Sequence, residues 1–150
     1  MVHSRNENVV ELYNAFIVST RNWSNEWNVQ NEIGLSPSHV LILELLEIEQ
    51  MQRPSKLAAK LHITTGGVTG LTNKLVKDGL IKRSLLEDDR RAICLEITDE
   101  GKMALSIARN QKMRIIEKMF GLLSDSEIHQ LNIIFQKVNQ AFLREEAQLE

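Results

Sequence analysis

The sequence has 150 residues, of which 43% are hydrophobic and 25% charged, and its formal net charge is −2. This length is typical of one domain with a sizeable core, and this composition is typical of a soluble globular protein. A single cysteine excludes an internal disulfide and favours a reducing, cytoplasmic setting, and no apolar run is long enough for a signal peptide or a membrane span.

The first two predicted elements are helices. Over residues 8–28, mostly apolar side chains recur at spacings of three and four, which places them on one helical face: Val9, Tyr13, Phe16, Thr20, Trp23 and Trp27. A second helix begins after Gly34, with Ser36 as its N-cap and Pro37 at its first position. Apolar side chains surround much of this helix, so we expect it at the buried centre of the fold. The apolar residues are Val40, Leu41, Leu43, Leu45, Leu46 and Ile48.

A helix-turn-helix follows. A short third helix begins near Pro54, and its Leu57, Ala58 and Leu61 should face inward. After a turn of about three residues, Thr64 is placed to cap a fourth helix that ends before Gly79. A short helix, a tight turn and a longer helix form the layout of this motif.

The fourth helix contains three of the seven glycines of the chain. With Val68, Leu71 and Leu75 inward, its outer face carries Thr65, Gly66, Thr69, Gly70, Asn73, Lys74 and Lys77. Small residues and free amides at its start, including Thr64 and Gly67, suit close approach to a phosphate backbone and to base edges. The sequence therefore predicts a DNA-recognition helix. The alternative is a close helix–helix crossing that needs small residues.

A β-hairpin comes next. Ile81, Arg83 and Leu85 alternate with polar residues, and further on Ile93, Leu95 and Ile97 are expected on the core face, with Cys94 off it. The tip "LEDDRR" places Arg90 and Arg91 where a wing could insert arginine into a narrow minor groove, and Asp89, with Asp88, could orient a guanidinium. The alternative is a solvated charge run in a turn.

The charge is unevenly distributed. Residues 53–91 contain nine basic and four acidic side chains, a net of +5, which leaves −7 for the remainder. A basic centre in an acidic frame is typical of a protein that presents one surface to a polyanion. Scattered surface lysines would give the same count.

Two helices complete the chain. Thr98 should cap the first, which runs to about Phe120 with an apolar side formed by Ala104, Ala108, Ile115, Met119 and Leu122. Ser124 and Glu127 have the spacing of a capping box for the second. Its seam of Ile128, Leu131, Phe135, Val138 and Phe142 is coiled-coil-like. Such a seam pairs helices within one chain or between subunits.

The segment "LAAKLHITTGGVTGLTNKLVKDGLIKRSLLEDDRRAICLEITDEG" resembles the core of the MarR family of winged-helix regulators. The shared features are the "LA..L.I" helix, "L...GLI.R", and the wing pair Asp89 and Arg91. The resemblance implies one mainly α domain over 1–150, with a winged helix-turn-helix over 36–97 and dimerisation helices over 8–31 and 98–149. It also implies a homodimer on a palindromic operator, with repression relieved by a small molecule or an oxidant. At Gly70 many members carry arginine.

Three further interpretations concern enzymes, effectors and redox sensing. No zinc-ligand spacing, nucleophile elbow or phosphate-binding loop is present, so an enzyme is not expected, and the alternative function is a winged-helix module for protein contacts. Trp23, Trp27 and His39 lie where the family binds effectors, although a dimer core explains the tryptophans better. Cys94 could sense oxidants, but a small packing residue is the commoner role.

Overall fold

The computed structural model describes residues 4–85 and 92–146, and the chain divides into two compact units, Met1–Met113 and Arg114–Glu150. The described residues form α1 (Arg5–Gln30), α2 (Pro37–Glu49), α3 (Pro54–Leu61), α4 (Thr65–Lys77), β1 (Ile81–Leu85), β2 (Ile93–Ile97), α5 (Asp99–Phe120) and α6 (Asp125–Glu146). The mainly helical fold with a small hairpin wing is confirmed. None of the described helices combines the length and the hydropathy needed to cross a membrane.

Three of the described helices that the sequence predicted, α2, α4 and α6, begin where a capping side chain accepts a hydrogen bond from an amide of the first turn. Ser36 Oγ accepts a hydrogen bond from the His39 N–H at 3.3 Å, and Thr64 Oγ1 accepts from the Gly67 N–H at 3.1 Å. Glu127 N–H donates to Ser124 Oγ at 3.3 Å. The predicted starts of α2, α4 and α6 are therefore confirmed.

The core of the first unit is built around α2, which contacts α4 and β2, while α3 packs on α4. The fully buried side chains of these elements and of β1 include Ile42, Leu43, Leu46, Leu57, Val68, Leu75, Ile81 and Leu95. The predicted central position of α2 is confirmed for this unit, but not all of its apolar side chains are buried, because Leu41 is 42% exposed and Ile48 74% exposed. Only one side of this helix faces the other described elements.

The second strand corrects one sequence prediction. In the antiparallel hairpin, Ser84 pairs with Cys94 and Leu85 with Ile93. Cys94 is buried, whereas Ile93 is 48% exposed, so the expectation that Ile93 belongs to the core and Cys94 does not is wrong. The strand contacts α2 and α3 as well as β1, so its middle is covered on more than one side, and Ile93 lies at its outer end. An alternation of apolar and polar residues does not predict burial in a strand whose two faces are both covered.

Two helices carry apolar surface that the described part of the chain leaves exposed. On α1, Val9, Tyr13 and Phe16 are each about half exposed, and of its described residues only Trp27 is buried. On α6, Phe142 is 68% exposed, and Phe135 and Val138 are also exposed. Of the predicted α5 face, Ala104, Ala108 and Ile115 are buried, but Leu122 lies beyond the end of the helix and is 96% exposed.

Candidate nucleic-acid interface

The fourth helix buries one side and exposes the other. Val68, Thr72 and Leu75 are buried. The opposite side exposes Thr65, Gly66, Gly67, Thr69, Gly70, Asn73 and Lys77, and Lys74 is half-buried. The predicted outer face is therefore the exposed one. Thr72 was missed as an inward residue, although it lies four positions after Val68, and Leu71, expected inward, is half-buried.

The glycines of this helix do not serve a helix crossing within the described residues. A Cβ at Gly70 would have no described atom within 4 Å, and one at Gly66 would meet only Thr64 Oγ1 at 3.9 Å. At Gly67 the nearest atom, again Thr64 Oγ1, would lie at 3.4 Å, an ordinary contact. The small residues leave open space outside the helix, so the crossing alternative is wrong for the part of the chain that the structure describes.

Two side-chain contacts organise the polar residues of the helix. Arg83 Nη2 on β1 donates to Asn73 Oδ1 at 2.6 Å, a contact that sequence analysis missed. Lys74 Nζ donates to Asp78 Oδ2 at 2.6 Å, and this hydrogen bond holds the pKa of Asp78 below its ordinary value. Lys74 is therefore engaged with a carboxylate, whereas the exposed Lys77 extends from the last turn of α4.

The start of α5 is joined to the turn between α4 and the wing. Thr98 N–H donates to the Leu80 carbonyl at 3.0 Å, and Thr98 Oγ1 donates to the Gly79 carbonyl at 2.6 Å. Gly101 packs so closely that a Cβ there would overlap the Leu80 carbonyl oxygen. This junction fixes the base of the wing. The predicted tip residues Asp89, Arg90 and Arg91 lie outside the described residues.

The basic region is partly neutralised by its own neighbours. Lys60 pairs with Glu49, and Lys82 Nζ lies 3.4 Å from Glu96. Both acidic partners lie outside the basic window of residues 53–91. These exposed pairs contribute little to stability but lower the local positive potential. The surface offered to a polyanion is therefore less positive than the sequence count suggests.

The predicted effector residues have partners inside the fold. The Trp23 and Trp27 rings stack at 6.3 Å, and Trp27 Nε1 donates to the Leu35 carbonyl at 2.8 Å. His39 Nδ1 accepts from the Ser36 N–H at 3.1 Å, which completes the α2 capping box. Burial lowers the pKa of His39, the Lys74 charge lowers it further, and Asp78 raises it. An effector role for these three residues stays a prediction.

The geometry defines a winged helix-turn-helix protein, and comparisons with known proteins show which family its central part resembles. Residues 35–93 match the family model described as MarR family. The predicted resemblance to the MarR family is confirmed over this region, and the curated relatives of the chain are named HTH-type transcriptional regulators. It is 27% identical over 133 residues to the HTH-type transcriptional regulator YkoM of Bacillus subtilis, and the match covers 87% of this chain and 86% of that protein. It is 29% identical to the regulator MgrA of Staphylococcus aureus, and this match also covers 87% of this chain and 86% of that protein.

Solved structures support the fold. A mutant MarR of E. coli in complex with operator DNA has a TM-score of 0.76 at 15% identity, and the match covers 91% of this chain and 99% of that chain. The YusO protein of Bacillus subtilis has a TM-score of 0.69 at 23% identity, with 93% and 99% covered. These similarities show the winged-helix architecture. The family consists of transcriptional regulators, which are not enzymes.

Proposed function

We propose that this chain is a homodimeric repressor that binds a palindromic operator in double-stranded DNA and releases it when a small molecule binds. The observation that carries the proposal is the outer face of α4. It is exposed along its length, it is thin at Gly66 and Gly70, and its amide and hydroxyl side chains are of the kinds that contact base edges. Such a regulator would work in the cytoplasm, where bacterial operators lie.

The exposed apolar side chains of α1 and α6 support a homodimer. Phe16, Val138 and Phe142 are each 47% exposed or more, a costly arrangement unless another chain covers them. A dimer would place two recognition helices at half-sites one helical turn apart. The MdtR relative of Bacillus subtilis is named a transcriptional repressor, which supports repression.

Two structural neighbours support small-molecule release. BpsR from Bordetella bronchiseptica is described as regulated in its DNA binding by 6-hydroxynicotinic acid, and RdhR is solved with bound 2,4-dichlorophenol. We favour this signal over oxidation, because Cys94 is buried and 2% exposed, and reactive thiols need access to solvent.

Affinity selection from random duplexes tests the proposal. We expect enrichment of an inverted repeat, and its affinity should fall about 10³-fold or more between about 50 and 200 mM salt, as roughly 6–10 phosphate contacts imply. Lys77→Ala should weaken binding and reduce the salt slope, whereas Lys137→Ala, which removes the same charge from α6, should not. Absence of any enriched duplex would favour the alternative, a winged-helix module for protein contacts.

A further inference from the structure

Asn73 and Arg83 join the recognition helix to the wing. Arg83 is the third residue of β1, and its Nη2 lies 2.6 Å from Asn73 Oδ1. Both residues are exposed, so this contact stands at the surface proposed to meet DNA. Asn73 follows Gly70 by one turn on the same side of α4. A wing residue thereby holds a side chain of the recognition helix.

The contact determines which way the Asn73 amide points. A guanidinium carries only donors, so the amide oxygen, and not its nitrogen, must face Arg83. The NH2 group of Asn73 then lies on the side away from Arg83. A free asparagine has no such preference, because turning the amide over exchanges its donor and its acceptor. Asn73 is therefore held with donors directed away from the wing strand, by a charge-assisted hydrogen bond.

We propose that Arg83 is a positioning residue for base recognition, which orients the Asn73 amide so that it selects bases with acceptors at one position of each half-site. The inference rests on the proposed DNA-binding function. In the major groove, guanine offers N7 and O6 and thymine offers O4 as acceptors, whereas cytosine offers the N4 donor. With its oxygen engaged by Arg83 and only its donors free to meet a base, Asn73 should favour guanine or thymine over cytosine.

The experiment first locates the base that Asn73 reads. This is the operator position at which the base preference disappears in Asn73→Ala. Operators with each of the four bases at this position are then titrated against each variant. Wild type should discriminate guanine or thymine from cytosine by about tenfold, within the range of one base contact. Arg83→Met should lower this ratio to below about threefold, because the released amide can turn and accept from cytosine.

Two further Arg83 variants separate hydrogen bonding from charge. Arg83→Lys retains a side chain that only donates, so it should keep the base preference. Arg83→Gln can donate and accept, so it should lose the preference as Arg83→Met does. Thermal melting of each variant confirms that it is folded. If Arg83→Met does not fold, the comparison of the Gln and Lys variants gives the same answer.

A matched control removes the same charge from the same strand. Lys82 neighbours Arg83 but pairs with Glu96 rather than with α4. Lys82→Met should weaken binding to all four operators by one common factor and leave the base preference unchanged. In an Asn73→Ala background, Arg83→Met should have no further effect on the preference. This double-mutant cycle assigns the effect to the pair.

The proposal would be overturned if Arg83→Met weakened all four complexes equally and kept the wild-type preference. Arg83 would then act as a phosphate contact. Failure of the proposed function looks different, because wild type would enrich no duplex and no position could be assigned to Asn73. That result would overturn both proposals.

Discussion

Alanine at Gly70 should stabilise the protein without improving its binding to DNA. Glycine in a helix interior costs about 1 kcal/mol relative to alanine. A Cβ at Gly70 meets no described atom within 4 Å, so no steric cost offsets the gain. For a chain of this size, about 1 kcal/mol corresponds to a rise in Tm of roughly 2–4 °C. Operator affinity should stay the same or fall, because the new methyl group occupies space beside the DNA.

A larger side chain and a second glycine make this test specific. Gly70→Leu should leave the fold intact and weaken operator binding by about 1–3 kcal/mol, comparable to one wrong base pair. Gly101→Ala is the contrasting control, because its Cβ would overlap the Leu80 carbonyl oxygen. It should lower the free energy of unfolding by about 1–3 kcal/mol, since overpacking outweighs helix propensity.

Differential scanning calorimetry and operator titrations on the same three variants provide the measurements. The reasoning is refuted if Gly70→Ala lowers Tm while the folded fraction binds its operator with wild-type affinity. That combination would mean that Gly70 faces another part of the protein. Equal destabilisation by Gly70→Ala and Gly101→Ala would lead to the same conclusion.

The remaining predictions concern assembly and pH. Phe142→Asp should convert dimers to monomers in light scattering and weaken operator binding. Ile48→Asp changes a similarly exposed apolar position on α2 and should do neither. If the Phe142→Asp protein is still a dimer, the subunit interface does not include Phe142. His39→Gln keeps a side chain that can complete the capping box with Ser36 but removes the ring whose pKa is lowered by burial. Because the folded pKa lies below the ordinary 6.5, the unfolded chain binds the proton first, so wild-type stability in urea titrations should fall as the pH drops below 6.5. His39→Gln should lack this component and His129→Gln should retain it; an equal decline in both variants would contradict the assignment.

The features that the sequence predicted well are local ones. Ser36 with Pro37, Thr64, and Ser124 with Glu127 each define a helix start within three residues, because an N-cap bonds to amides of its own first turn. The outward side of α4 followed from the spacing of its apolar residues. Such signals need no knowledge of the rest of the fold.

The features that could not be predicted depend on contacts between distant positions. Cys94 is buried because several elements cover the middle of β2, and Ile93 is exposed because it lies at the outer end of the strand; an alternation pattern records neither. The contact between Asn73 and Arg83 joins a helix to a strand ten residues away, and its geometry depends on how the turn between them folds. Ion pairs from the basic window, such as Lys82 with Glu96, are likewise invisible in a count of charges.

The junction at the start of α5 has a mechanical consequence. Two hydrogen bonds from Thr98 hold the carbonyls of Gly79 and Leu80, and Gly101 leaves no gap against Leu80. Because α5 contacts this turn at several neighbouring points, it cannot rotate relative to the turn as it could about a single contact. A displacement of the first turn of α5 must therefore move the end of the recognition helix and the first residues of the wing by a similar amount, as one rigid unit.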